Sequence, residues 1–505
     1  MKNLSLSQTQ PVSRREFLST TAVAGTVLLA APALLAQSTP VAASSARKMR
    51  CVLVGVGDRS DLYRTAVLKT HAEHCEMAGY CDLNEGRLKL AQQKARDLAG
   101  VEVPIYPAAD FDRMLRETKP DVVIVTTKDG THNRYIIRAM ELGYDVMTEK
   151  PMTTDEKKCR AILDTQRKTG RRLTVNFNYR YSPSRTQVKD LLMSGIIGDV
   201  LSVDFHWLLD TKHGADYFRR WHSHKADSGG LMVHKATHHF DLVNWWLSAV
   251  PVSVTATGKR DFYTPAMAKR LGLQSYHERC LTCPEKDKCT FLLDITKDAK
   301  LKELYLDQEK YDGYFRDRCV FRPDIDIEDT MNVLVRYNTG VMMSYSLNAF
   351  NGWEGYFIAF NGTKGRLEHK MEEKISLDTT GAVAGAVKGT GTTIRIFPLR
   401  APAYEIATSQ VVEDHAGGDG LMLADLFVPG NHEDKYQHAA DQRAGAYSIL
   451  TGIAANHSFV TGKTVEIAAL VPDIPLPDYP PMPTHDQPVP MPPKAVAAAN
   501  PKASE

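Results

Sequence analysis

The sequence predicts an α/β fold whose first domain is a doubly wound parallel sheet. Three features carry this expectation: a β-rich run closing on a Gly55-Val56-Gly57 turn, an uninterrupted apolar run at Asp121–Thr127, and strand-like segments alternating with helix-like ones. A strand buried on both faces reads as continuous apolar sequence, and βαβ alternation builds a parallel sheet. At 505 residues the chain has room for at least two domains. A net charge of +2 gives no basis for nucleic acid or an anionic membrane surface as partner.

The first 36 residues read as a targeting segment. Ser13-Arg14-Arg15-Glu16-Phe17-Leu18 precedes an Ala-rich apolar run, Thr20 to Ala36, interrupted by Gly25 and Pro32. That is the pattern of a twin-arginine export signal, with small residues near Ala33 or Ala36 suited to cleavage. The run falls short of the ~20 strongly apolar residues that span a bilayer, so no stable membrane insertion is expected. The implied address is periplasmic or otherwise extracytoplasmic, and residues 37–48 follow as a linker.

The first domain, 49–170, opens with Arg50-Cys51-Val52-Leu53-Val54 and the turn Gly55-Val56-Gly57-Asp58-Arg59-Ser60. A strand, a glycine turn and a helix start present backbone N–H groups to a pyrophosphate. Ser60 stands where the motif's third glycine would be and is small enough for close packing. A second strand, Cys75 to Cys81, ends at Asp82. A carboxylate there accepts hydrogen bonds from a ribose 2′-hydroxyl and repels a 2′-phosphate, which favours NAD over NADP. Arg59 and Arg87 nearby pull the other way. A helix from about Asn133 to Leu142 and a short strand, Asp145–Thr148, complete the alternation.

Downstream, Glu149-Lys150-Pro151, preceded by Thr131-His132 and Gly143-Tyr144-Asp145-Val146, resembles the signature of the Gfo/Idh/MocA oxidoreductases. The resemblance continues through Asn176-Phe177-Asn178-Tyr179-Arg180-Tyr181, Gly195-Ile196-Ile197-Gly198, Gly229-Gly230 to Asp241, Asn361-Gly362-Thr363-Lys364-Gly365 and a helix from Asp441 to Phe459. It covers roughly Met49 to Leu470. It implies a second α/β domain, 171–470, with a large, mainly antiparallel sheet facing the nicotinamide, and a homo-oligomer formed through that open sheet. Thr127, His132 and Glu149 join Gly55, Gly57, Asp58, Arg59, Ser60, Asp82, Arg87 and Lys150 as implied cofactor residues.

The resemblance also implies the chemistry. Lys150 matches the lysine beside the nicotinamide and the reacting sugar carbon, where partial desolvation lowers a lysine's pKa. His238 matches the catalytic histidine, a group suited to carrying the alcohol proton. The position where the family has an acidic residue is His234, a departure that puts an ordinary inositol-type triad in doubt. Spacing of four places His234 and His238 on one helical face. Tyr179, Arg180, Tyr217, Trp221 and Lys235 complete the expected catalytic and sugar-binding set.

A cysteine-bearing insert spans about 270–325. Cys280, Cys283, Cys289 and Cys319 are separated by two, five and 29 residues. That approaches zinc-site spacing without matching a standard one, and an oxidising compartment would also permit disulfides or leave thiols unpaired. Ten of the 26 prolines lie between Pro472 and Pro493, so the tail, 471–505, is expected to be extended or disordered.

Export and nicotinamide chemistry together point to a cofactor that stays bound. One reading is an oxidoreductase of a sugar, cyclitol or glycoside running a redox-neutral cycle, as in the family's glucose–fructose oxidoreductase. The other is an NAD-dependent glycoside hydrolase that oxidises, eliminates, hydrates and re-reduces its substrate.

Overall fold

The computed structural model describes residues 47–374, 391–409, 414–430, 433–484 and 486–492. The expected export signal and most of the linker lie outside these residues. No helix among them is long and apolar enough to cross a membrane.

Six strands build the first sheet: β1 (Met49–Val54), β2 (Cys75–Asp82), β3 (Ile105–Pro107), β4 (Val122–Val125), β5 (Asp145–Thr148) and β6 (Leu173–Val175). Their order is β3-β2-β1-β4-β5-β6, and every pairing is parallel. Strand order therefore reverses at β1, and the crevice beyond its C-terminal end is where such sheets take ligands. Cys51 to Val54 and Val123 to Val125 are fully buried, as apolar runs covered on both faces must be. Connecting helices are capped by side chains the sequence supplies: Asn84 accepts from the Arg87 N–H and Asp155 from the Lys158 N–H. One boundary moves. Sequence puts Leu173–Val175 in the second domain, but β6 closes the first sheet against β5.

The second sheet has nine strands: β7 (Val200–Asp210), β8 (Pro251–Lys259), β9 (Thr330–Tyr337), β10 (Met342–Asn351), β11 (Glu354–Gly362), β12 (Gly365–Lys374), β13 (Thr393–Pro398), β14 (Tyr404–Ile406) and β15 (Val465–Glu466). Only β7 and β10 pair in parallel, so the sheet is mainly antiparallel, with order β14-β13-β12-β11-β7-β10-β9-β8-β15. Side chains alternate across it. Phe205, Trp207, Val333 and Tyr345 face the core, whereas Leu334 and Met342 stand 60% and 63% exposed on the open face. Helices Ala236–Leu247 and Gln442–Thr461 belong to the same core as the buried face; His239 stacks on Trp207 at 3.8 Å.

The tail follows this domain without regular secondary structure through its described part. Its carbonyls take hydrogen bonds from folded elements: Ile474 from the Tyr447 hydroxyl, Leu476 from Arg443, and Pro480 from the Ser248 hydroxyl. Proline supplies no N–H, so carbonyls are what such a segment offers.

Gly229 and Gly230, both at positive φ, turn the chain into a short helix, Leu231–His234, before the longer one begins at Ala236. Lys235 keeps right-handed helical backbone angles, but the hydrogen-bond ladder tightens there between the two helices. His238 N–H bonds the Lys235 carbonyl at 3.2 Å, one residue nearer than in an α-helix. The short helix is pressed against helix Gln442–Thr461 at Gly452, where a Cβ would stand 2.1 Å from the Met232 carbonyl oxygen. Alanine improves intrinsic helix propensity by ~1 kcal/mol, yet a collision with backbone cannot be relieved by rotating a side chain. Gly452→Ala should therefore destabilise by a net ~1–3 kcal/mol, visible in calorimetry as a Tm lowered by several degrees. An unchanged Tm would show that the helices separate freely.

Candidate active site

Loops after β1, β2, β4 and β5 converge on a cavity of about 660 Å³, closed from the other side by the second domain. That volume lies within the range of small-molecule sites. Gly55, at φ +87°, passes so close to β4 that a Cβ would meet the Thr126 backbone at 2.8 Å. Only glycine permits this turn. Asp82 anchors the next loop: one oxygen accepts the Val56 N–H and the other the Asn84 N–H, both at 2.7 Å. Each oxygen keeps a lone pair for a ribose hydroxyl. Gly55, Gly57, Asp58, Asp82, Thr127 and Lys150 all line the cavity, and this cradle fits a dinucleotide.

Both flanking arginines also line it, with their charges already matched. Arg59 pairs with Glu149 at 2.6 Å and with Asp419 at 3.3 Å; Arg87 pairs with Asp312 at 2.5 Å. Glu149 also accepts from the Tyr63 hydroxyl and the Lys150 N–H, which fixes the loop that presents Lys150. His132 bridges two loops, its ring nitrogens 2.8 Å from the Pro151 carbonyl and 3.0 Å from that of Thr127. Burial lowers its pKa, and a neutral imidazole donates only one of these contacts. Ser60 is buried beneath the turn, its hydroxyl bonded to the Gly57 carbonyl. It serves packing rather than the cavity lining.

The second domain contributes Tyr179, Tyr217, Trp221, His234, Lys235 and His238. Tyr179 stacks on His238 at 4.0 Å and accepts a 3.0 Å hydrogen bond from Lys235 Nζ. Tyr217 is held by His213 at 2.9 Å, and His213 by Glu354 at 2.7 Å. Trp221 stacks on His222 at 3.6 Å. Aromatic faces beside hydrogen-bonding tips suit a ring bearing hydroxyls.

Lys150 is the electrostatic focus. Burial pushes its pKa down to about 8, against the opposing pull of Asp129 and Glu149. Its Nζ lies 3.5 Å from the His234 carbonyl. His234 Nδ1 meets Asp129 Oδ2 at 2.5 Å, so the carboxylate missing from the helix arrives from the loop after β4. Burial raises the Asp129 pKa, against the pull of Lys150, and lowers that of His234.

Two expectations are corrected. Arg180 does not line the cavity; it is buried against Asp241 through bonds of 2.8 and 2.6 Å. Breaking such a pair typically costs ~3–5 kcal/mol, so its role is structural. Cys280, Cys283, Cys289 and Cys319 do gather round one small apolar cavity with Phe291 and Phe321. None forms a disulfide, and no group of three or more His, Cys, Asp or Glu among the described residues is arranged to hold a metal. A zinc site is not supported. Cys280 Sγ instead accepts from Arg219 at 3.1 Å, and burial raises the Cys283 and Cys289 pKa values.

Sequence reasoning missed Asp129 and His213, and the insert residues Tyr305, Asp312 and Tyr314, all in the cavity wall. Asp129 had a signal, because it sits just beyond the C-terminal end of a parallel strand. The insert residues had none that is local.

Known proteins agree with this architecture. Residues 49–177 match the oxidoreductase-family NAD-binding Rossmann fold, and residues 189–467 match the same family's C-terminal alpha/beta domain. The protein YteT of Bacillus subtilis is 37% identical over 409 residues, covering 79% of this chain and 94% of its own. Inositol 2-dehydrogenase/D-chiro-inositol 3-dehydrogenase of Lactiplantibacillus plantarum is 27% identical over 194 residues, 38% of this chain and 51% of that protein. The WlbA dehydrogenase from Bordetella pertussis, solved with NADH and UDP-GlcNAcA, superposes with a TM-score of 0.53 at 20% identity, covering 83% of this chain and 99% of that one. With both of its domains matched in order around a dinucleotide cradle, the chain belongs to the Gfo/Idh/MocA oxidoreductase family.

Proposed function

We propose that the protein oxidises and re-reduces a CH–OH group of a sugar, cyclitol or glycoside, using NAD that stays bound in a redox-neutral cycle. The observation that carries this reading is Lys150, buried beside Asp129 and His234 in a cavity walled by aromatic and hydroxyl-binding side chains. The sugar and inositol chemistry of the relatives agrees with it. NAD is favoured over NADP because the Asp82 carboxylate repels a 2′-phosphate while Arg59 and Arg87 are already paired.

Bound NAD supplies the hydride acceptor and, in the second half of the cycle, the donor. Lys150 Nζ donates a hydrogen bond to the oxygen of the reacting hydroxyl and orients it, leaving the hydroxyl proton to His238. As the carbinol C–H bond breaks and hydride leaves, His238 takes the hydroxyl proton and the carbon becomes a carbonyl. The second half returns hydride to a carbonyl carbon and the proton from His238 to its oxygen, so the cycle has no net redox change. Export through the twin-arginine route, read from Arg14-Arg15, fits a protein that folds around its cofactor before crossing the membrane.

Three outcomes test this. Lys150→Ala and His238→Ala should keep their dinucleotide and lose ~10²–10⁴ in single-turnover reduction of it, followed at ~340 nm. If His234→Ala alone abolishes turnover, proton transfer belongs to His234. Aglycone release from a chromogenic glycoside without net NADH would move the assignment to the NAD-dependent hydrolase.

A lysine of pKa about 8 is ammonium below that pH, where it donates most strongly to the reacting oxygen, and neutral above it. Lys150's support of both alcohol oxidation and carbonyl reduction should therefore weaken as pH rises through about 8, lowering the single-turnover rate in each direction. A profile flat between pH 7 and 9 in both directions would remove Lys150 from the reaction.

With Arg14 and Arg15 both changed to Lys, periplasmic protein should disappear and precursor remain inside. Undiminished export would refute the twin-arginine route.

A further inference from the structure

The cysteine-bearing insert does not end as a surface appendage. Its segment 298–317 crosses from the second domain to the mouth of the dinucleotide groove in the first. At the glycine turn, the Asp58 N–H donates to the Tyr305 hydroxyl at 3.4 Å, and that hydroxyl lies 3.8 Å from where a Cβ on Gly57 would stand. Lys300 Nζ reaches the Asp58 carboxylate at 2.6 Å. At the end of β2, Asp312 takes Arg87 at 2.5 Å, and the Gln308 carbonyl accepts from Asn84 Nδ2 at 3.0 Å. Gly86 lies directly beneath: a Cβ there would meet Gln308 Oε1 at 1.9 Å.

Packing and charge both hold the segment down. Leu304, Tyr305 and Ile295 form a small buried cluster completed by Leu90 of the first domain. Behind them, Arg279 clamps the base through Glu309 and Asp317, each at 2.6 Å. The side facing inward is cavity wall, contributed by Tyr305, Asp312 and Tyr314.

We infer that this segment is the outer wall of the dinucleotide site and retains the cofactor, Tyr305 beside the glycine turn that receives the diphosphate and the Asp312–Arg87 pair beside the Asp82 that receives the ribose. This rests on the reading of the cavity as an NAD site. A dinucleotide between the first domain and this segment leaves only when the segment lifts. Its ties include the four polar contacts above, at two separate loops, so release is slow without any covalent bond. The same Asp312 also bears on specificity, because it shares with Asp82, at 3.6 Å, the charge of Arg87.

The test uses the full chain loaded with NADH and follows loss of the bound cofactor's fluorescence after a chase with excess NAD⁺. Tyr305→Phe removes one hydroxyl, Asp312→Asn loosens Arg87, and Lys300→Ala cuts the outer tie without touching the cavity wall. Asp312→Asn should release NADH about tenfold faster, and Tyr305→Phe and Lys300→Ala, which remove a long hydrogen bond and an exposed ion pair, about two- to fivefold faster. Asp312→Asn should in addition narrow the ratio of NADPH to NADH dissociation constants, since Arg87 is freed for a 2′-phosphate. Parental release rates in all three variants, with melting temperatures unchanged, would overturn the retaining wall and leave the NAD site standing. Failure of the parent itself to bind NADH would overturn both.

Discussion

The burial of one cation, Lys150, sets the terms for the structure around it. An ammonium withdrawn from water must be compensated by opposite charge or give up its proton. Here both happen in part. Asp129 and Glu149 stand close enough to hold the charge, while burial brings the pKa down to about 8. Glu149 can do this only because Arg59 and the Tyr63 hydroxyl hold it ionised in a buried position. The lysine thus depends on a second layer that never meets a substrate.

The same discipline runs through the cofactor groove. Three of its arginines are committed to carboxylates: Arg59 to Glu149 and Asp419, Arg87 to Asp312, and Arg220, deeper in, to Asp216 one helical turn back at 3.3 Å. Oriented backbone N–H groups at the glycine turn are there to receive a diphosphate. Backbone donors fixed by Gly55 and by Asp82 cost little to organise, whereas a free arginine would also welcome NADP.

What could be read from sequence follows from range. The glycine turn, the apolar run of β4 and Lys150 are local patterns whose meaning does not depend on distant residues. Leu173–Val175 is too short to announce which sheet it joins, and only pairing with β5 decides it. Arg180 carries the family's motif at the right place, yet its guanidinium turns inward because Asp241, 61 residues away, is buried beside it. The tightened hydrogen-bond ladder at Lys235 is invisible to a spacing rule that assumes one regular helix. Tyr305 and Asp312 belong to a polar insert whose docking on Asp58 and Arg87 spans more than 200 residues of sequence.

Where the family expects an acidic residue, this chain has His234, and the substitution is less radical than it looks. Asp129 comes from the first domain and His234 from the second, and their 2.5 Å contact rebuilds an acid beside Lys150 in two parts. A carboxylate on the helix would sit next to the lysine as a fixed charge. An imidazole backed by a carboxylate instead offers a ring nitrogen whose protonation is set across the domain junction. Neither half is competent alone: without Asp129 the buried imidazole loses its partner, and without His234 a buried carboxylate is left with its desolvation cost. The proton-holding group in this cavity therefore exists only while the two domains are docked, and the same docking brings Lys150 to the His234 carbonyl.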